Sequence, residues 1–370
     1  MRIERAELRV VSIPLIHPFE TSFGRESEKT CLLLRLDCEG AVGWGECVAM
    51  SGPWYSEETT GTARLVLAEH ILPLVLGRDF DTGDDVCRAL ARVRGNRMAQ
   101  AALETACLDA LARSQSVSLA QLLGGVRTEI ESGVSIGIQE SPEALVRNVE
   151  RELSAGYKRI KIKIKPGADH EYVRAVRREF PHVPLMVDAN SAYTLADADR
   201  LAELDHFALM MIEQPLAHDD VLDHSILAGR IKTPICLDES VHSAEDARKA
   251  LDLEACRVVN IKSGRLGGLT ESVRTHDLCL KRATPVWCGG MLETNIGRAA
   301  NVALSSLPGF TLPGDVAASA RYFEHDVALP NFELTLGGTI AVPEGPGSGV
   351  EVDTRRLDQV TLLREEFTAG

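Results

Sequence analysis

The alternation of apolar and polar residues changes character twice along the chain. From Ile3 to Leu15 apolar residues alternate loosely with polar ones. Cys31-Leu32-Leu33-Leu34-Arg35-Leu36 is a short apolar run, and Glu39-Gly40 supplies a turn before Ala41 to Cys47. These stretches predict β-strands joined by tight turns. Between residues 57 and about 125 the period lengthens. Ala63 to Ala68 and the alanine-rich stretch Met98 to Ala112 combine good helix formers with helical spacing, so strands followed by helices predict an α+β unit.

From about residue 130 a third pattern begins, in which short β-rich runs alternate with helical segments. The runs are Gly133 to Ile136, Ile160 to Lys163, Pro184 to Asp188, Leu209 to Glu213, Pro234 to Asp238, Val258 to Lys262 and Pro285 to Cys288, with Phe310-Thr311-Leu312 a weaker eighth. Helical spacers such as Ala196 to Leu204 and Ala244 to Leu251 separate them. Seven or eight strand–helix units in series predict a closed parallel barrel; an open doubly wound sheet is the alternative. The Pro- and Gly-rich stretch Pro330 to Gly349 is expected to leave the barrel and pack back on the first domain.

Five ionisable residues end or nearly end five consecutive runs. Lys163, Asp188, Glu213, Asp238 and Lys262 follow one another at intervals of 25, 25, 25 and 24 residues. Taken singly, each has a plainer reading: Asp188 or Asp238 as a helix cap, Glu213 before Gln214-Pro215 as a turn residue, Lys262 as a solvated lysine. Taken in step, they predict a ring at one height, at the C-terminal mouth where barrel active sites lie. Three carboxylates converging there would repel one another without a cation. Carboxylate oxygens are hard ligands, so Mg²⁺ is the expected guest and Mn²⁺ a substitute; no Cys/His set points to zinc.

The lysines add a second signal. In Lys161-Ile162-Lys163-Ile164-Lys165 the period of two separates lysines from isoleucines, and a barrel strand would pack the isoleucines outward and aim the lysines at the centre or mouth. A charge-guarded edge strand is the competing reading. Val259-Asn260-Ile261-Lys262 repeats the device, with Asn260 and Lys262 inward from the far side of an eight-stranded ring. Two amines flanking a bound carboxylic acid suit removal of the proton next to its carboxylate. A divalent cation would stabilise the enediolate, and the cation together with Lys161 would lower the base's pKa. Proton return from the opposite face gives racemisation; a β leaving group gives elimination.

Composition narrows the partners. The chain of 370 residues carries a formal net charge of −14, which argues against nucleic acid or an anionic membrane as partner. Its 45% apolar and 25% charged residues are those of a globular protein. The nine cysteines follow no CxxC spacing and are expected as reduced core residues of a cytoplasmic protein. The N-terminus lacks the apolar core of a signal peptide, and no apolar run approaches the ~20 residues of a membrane helix.

Lys161-x-Lys163, Asp188-Ala189-Asn190, Glu213-Gln214-Pro215, Asp238-Glu239-Ser240 and Asn260-Ile261-Lys262-x-Gly264-Arg265-x-Gly267-Gly268 resemble the enolase superfamily, muconate-lactonising subgroup. Gly45-Glu46-Cys47-Val48-Ala49-Met50, Gly52-Pro53-Trp54-Tyr55, Gly289-Gly290-Met291-Leu292-Glu293, Leu312-Pro313-Gly314-Asp315 and Arg321-Tyr322-Phe323 are similar to the o-succinylbenzoate synthase / N-acylamino acid racemase family within it. The resemblance implies a (β/α)₇β barrel over residues 126–324 and an α+β capping domain over residues 1–125, completed by about 325–370. It implies Mg²⁺ on Asp188, Glu213 and Asp238, and Lys163 and Lys262 as the acid/base pair. Ser135, Lys161 and Asn190 would contact the substrate, and Phe19, Phe23, Met50, Trp54, Met291 and Phe323 would line an apolar pocket.

The lid loops, about 17–25 and 48–57, are similar to those of enzymes acting on N-succinyl or other N-acyl amino acids. The expected activity is therefore N-acylamino acid racemisation with o-succinylbenzoate synthase capacity. The alternative is a dedicated synthase of menaquinone biosynthesis. An Asp-x-Asp pair at the eighth strand is absent, which sets dipeptide epimerisation aside as a minor option, alongside a cycloisomerase. The intact lysine and carboxylate set argues against a non-catalytic binding barrel. Homo-oligomerisation is implied by the resemblance alone.

Overall fold

The computed structural model describes residues 1–22 and 24–369. Strands β1 (Ile3–Glu20), β2 (Arg25–Cys38) and β3 (Ala41–Cys47) pair antiparallel in chain order. At the β2–β3 turn Gly40 has φ +79°, a conformation only glycine adopts without strain. The helix Arg97–Ser114 lies directly on β3. A Cβ on Gly43 would stand 2.0 Å from the Ala106 carbonyl oxygen, and one on Gly45 2.0 Å from that of Ala102. Small residues on both elements permit this approach, which is why the helix is rich in alanine and buried on nearly every side.

The second sheet begins after β4 (Glu129–Glu131) and comprises β5 (Gly133–Ile136), β6 (Arg159–Lys163), β7 (Leu185–Asp188), β8 (Ile212–Glu213), β9 (Ile235–Leu237), β10 (Val258–Ile261) and β11 (Val286–Cys288). All seven are parallel, and their spatial order is their chain order. An unbroken order has no switch point, so the doubly wound alternative is excluded. The eighth strand of the barrel is an irregular, bridged segment, not a ladder. Residues 310–315 instead tie β11 to β5 by single bridges, Val286 to Phe310 and Ser132 to Gly314. The Gly133 amide donates to Gly314 at 2.7 Å and the Asp315 amide to Cys288 at 2.8 Å. A ladder cannot grow there, because Pro313 has no N–H. The carbonyls of Phe310 and Pro313 accept from Arg127 at 2.5 Å and Arg159 at 2.8 Å instead. The result is a (β/α)₇β barrel.

Ile160, Ile162 and Ile164 are fully buried in the layer beneath the helices. Inside the ring Met186, Met211, Cys236, Val258 and Trp287 form a separate apolar plug. Lys161 stands over the Trp287 ring at 4.7 Å, where the apolar plug gives way to buried charged side chains. The spacer Ala196 to Leu204 is one α-turn, Ala198–Ala202, between two 3-10 turns. Among the described residues no helix is long and apolar enough to cross a membrane, and the nine cysteines are all free.

The tail departs from expectation. β12 (Ala328–Leu329) pairs with β14 (Glu351–Val352), while β13 (Thr339–Ala341) pairs with β4 beside the barrel. Only the end of Pro330 to Gly349 reaches the first helices, where the Leu119 amide donates to Gly347 and the Ser348 amide to Asp109, both at 2.6 Å. The segment that extends the N-terminal sheet is β15 (Thr361–Thr368), antiparallel to β1.

Candidate functional site

Lys163, Asp188 and Glu213 are paired across β6, β7 and β8. The next pairing sets Glu213 opposite Cys236, so Asp238 lies two residues farther along. Val259 pairs with Leu237, which sets Asn260, not Lys262, level with Asp238. The expected ring at one height is therefore a rising stagger, as tilted strands in a closed barrel require. Inward alternation still brings the side chains together.

Lys163 Nζ donates to Asp188 Oδ2 and Asn190 Oδ1, both at 2.6 Å. Lys161 Nζ lies 2.8 Å from Glu213, 3.3 Å from Asp188 and 2.6 Å from Asp315. Lys262 Nζ donates to Asp238 at 2.7 Å and to the Tyr55 hydroxyl at 3.1 Å. Arg265 closes on the other oxygen of Asp238. Glu213 also accepts from Asn260 at 2.7 Å, and Glu239 from Asn190 at 2.9 Å. Gly289 leaves room for the lysine: a Cβ there would stand 2.7 Å from Lys262 Cε.

Burial disfavours every charge in this cluster, and the balance of neighbours decides each outcome. Burial and repulsion from Asp188 push the Glu213 carboxyl up to about 8. Burial and Asp238 push Glu239 up to about 8. Against the same burial, Lys163 and Lys161 hold Asp188 below the usual carboxylate range, and Lys262 and Arg265 do so for Asp238. Lys262 is raised despite burial, by Asp238 and Tyr55, and Lys161 by Asp315 and Glu213. Raised amines are opposite to what a neutral base needs, and the carboxylates beside them are the cause.

A divalent cation fits this donor set. Asp188, Glu213, Asp238 and Glu239 are buried, all offer oxygen, and Glu239 keeps one oxygen with no partner among the described residues. Among the described residues no three acidic, His or Cys side chains already stand in a metal cage. Asp188, Glu213 and Asp238 are each engaged by a cation, Lys161 and Lys163 on the first, Lys161 on the second, and Lys262 and Arg265 on the third. A cation taking those oxygens would remove the cause of the raised amines.

A cavity open to solvent lies over the cluster. Lys161, Lys163, Asn190, Lys262 and Ser135 reach it from the barrel, Phe19 from the end of β1, and Met50 and Met291 from loops. The Ser135 hydroxyl oxygen is buried without a partner among the described residues. Asp188, Glu213 and Asp238 lie behind the lysines, off the lining. Trp54 is not in the wall: it is 60% exposed, and its neighbour Tyr55 lines the cavity. Phe323 is core, and Tyr322 takes the wall position. Both expectations fell on irregular segments, where no period tells which of two neighbours faces inward. Phe23 lies outside the described residues. Sequence reasoning missed Tyr55, Asp315, Arg265, Glu239 and Lys29. The first four stand inside the quoted motifs, and that adjacency was the signal for them.

Residues 5–124 match the family described as "Mandelate racemase / muconate lactonizing enzyme, N-terminal domain", and residues 144–356 the one described as "Enolase C-terminal domain-like". The chain is 52% identical to an o-succinylbenzoate synthase of Geobacillus kaustophilus, over 99% of this chain and 98% of that one. It is 51% identical to an N-succinylamino acid racemase of Thermus thermophilus over the whole of both. It superposes on an enolase superfamily member from Listeria innocua with a TM-score of 0.96, at 40% identity and full coverage of both chains.

Proposed function

The chain belongs to the mandelate racemase / muconate lactonizing enzyme family of the enolase superfamily, and from that premise we propose that it moves a proton at the carbon next to a substrate carboxylate. The observation that carries this reading is that Lys163, at the end of β6, and Lys262, just after β10, reach one cavity with buried carboxylates behind them. Asp188, Glu213 and Asp238 would hold Mg²⁺, or Mn²⁺ in its place. When bound, the ion supplies positive charge against the negative charge that develops on the substrate carboxylate.

The chain's own residues do the rest. Asn190 and Asp188 hold the Lys163 amine from one side, and Tyr55 and Asp238 hold the Lys262 amine from the other. One Nζ accepts the α-proton as general base while the other, as ammonium, delivers a proton to the opposite face. The carbon inverts, which is racemisation. Where the substrate carries a β leaving group, one lysine suffices as base and elimination follows.

We place N-acylamino acid racemisation first, N-succinylamino acids above all, with o-succinylbenzoate formation as a second activity. Two amines at one cavity favour the racemase, since a dehydration needs only one as base. The alternative, a dedicated synthase, is supported by the relatives so named at comparable identity. The free thiols support a cytoplasmic location.

The test is α-deuterium uptake into N-succinyl amino acids in D₂O with Mg²⁺, run beside dehydration of the o-succinylbenzoate precursor. Racemisation that is lost in both Lys163→Ala and Lys262→Ala, with each variant exchanging at most one enantiomer, supports the racemase. Dehydration without exchange at the α-carbon of any N-acyl amino acid transfers the assignment to the synthase. A folded Lys163→Ala variant with both activities intact ends the reading.

A further inference from the structure

Lys29 lies on β2, in the wall that the capping sheet contributes to the cavity, apart from the three lysines of the barrel. It is 5% exposed. Its Nζ donates to the Met291 carbonyl oxygen at 2.8 Å, which uses one of an ammonium's three donors. Among the described residues no carboxylate oxygen comes within 4.0 Å of it. Glu46 feels its charge but turns its oxygens elsewhere, accepting from the Thr294 amide at 3.0 Å, the Thr294 hydroxyl at 2.7 Å and the Gly297 amide at 3.1 Å. A buried ammonium with unused donors at a cavity wall is costly until an anion completes it.

We propose that Lys29 receives the distal carboxylate of the substrate's acyl group, and so selects acyl chains that end in a carboxylate. This rests on the reading above, in which the α-carboxylate faces the barrel lysines. Lys29 on the capping wall, which also carries Glu26 and Glu28, and the lysines of the barrel then suit a dicarboxylate spanning the cavity with its distal end at Lys29. It also accounts for one feature of the relatives: the synthases and the racemases are named for different products, and both names carry a succinyl group.

The experiment compares N-succinylglycine with its neutral isostere N-succinamoylglycine, binding each to the Mg²⁺-loaded enzyme by calorimetry, which needs no turnover. The wild type should prefer the carboxylate by about 10- to 100-fold, the range of one charged hydrogen bond. Lys29→Met should lose that preference through weaker binding of the succinyl compound alone, and Lys29→Arg should keep most of it. Equal binding of the two compounds by the wild type overturns the proposal, and this arm stands even if Lys29→Met fails to fold. An equal loss for both compounds in a folded Lys29→Met also overturns it, since that is the mark of a residue that merely props the Met291 loop. Carboxylate selectivity that depends on Lys29, without α-proton exchange, would leave the proposal standing and sink the proposed reaction instead.

Discussion

Replacing Asp315 by Asn should destabilise the chain by about 3 kcal/mol, the lower end of the range for breaking a buried ion pair from one side. Asp315 is buried between Arg159 at 2.7 Å and Lys161 at 2.6 Å. Burial opposes its charge, yet Arg159 and Lys161 outweigh burial and hold its pKa below the usual carboxylate range. Asparagine keeps the shape but leaves two buried cations facing an uncharged amide. The cost lies at the lower end because neither cation is wholly abandoned. Lys161 keeps Glu213 at 2.8 Å, and Arg159 keeps the Pro313 carbonyl at 2.8 Å and the Trp287 ring at 5.0 Å.

The pH dependence follows from the sign of the shift. A carboxylate whose folded pKa is depressed contributes stability that is fully present above its unfolded pKa, about 3.9, and is lost as pH falls through the folded value. Urea unfolding should therefore show a constant gap between wild type and Asp315→Asn from pH 5 to pH 8, narrowing toward pH 2. A gap below about 0.5 kcal/mol at pH 7 would refute the reasoning, as would one that persists unchanged in acid.

Three further outcomes are expected. Gly45→Ala sets a methyl group 2.0 Å from the Ala102 carbonyl oxygen, so helix and strand must separate, at a cost of about 1–3 kcal/mol read as a lowered Tm. Trp54→Ala should change stability by no more than about 0.5 kcal/mol and leave KM nearly unaltered, because the ring is 60% exposed and outside the cavity wall; a tenfold rise in KM contradicts this. Burial raises the Glu46 carboxyl to about 7, above the ~4.3 of an unfolded glutamate, so the folded chain binds the extra proton and loses stability as pH rises between those values. Glu46→Gln should remove that decline, which amounts to about 3–4 kcal/mol across the window, and denaturation curves that keep the wild-type slope would count against it.

What could be read in advance follows the distinction between periodic and irregular chain. Each of the seven runs holds a parallel strand in its predicted place, because a strand buried on both sides needs a continuous apolar run and little else. The 25-residue step works for a related reason. It counts strand–helix units, so it identifies Lys163, Asp188, Glu213, Asp238 and Lys262 without any knowledge of stagger. It is equally blind to that stagger, which is why the ring is not level. Lys29 escaped notice because residues 31–34 are apolar on both faces, leaving no alternation to show that the lysine turns inward.

Tyr55, Trp54, Tyr322 and Phe323 belong to segments with no repeat, so identity alone had to choose the inward residue, and size was a poor guide. The groups that tune the site are harder still. Tyr55 reaches Lys262 across 207 positions and Asp315 reaches Arg159 across 156, and such pairings are products of closure, not of local order. The recognisable part of the site is therefore the part mounted on strands. The cavity wall contributed by the capping sheet and loops has no such repeat, and there the inward residue is fixed by long-range packing.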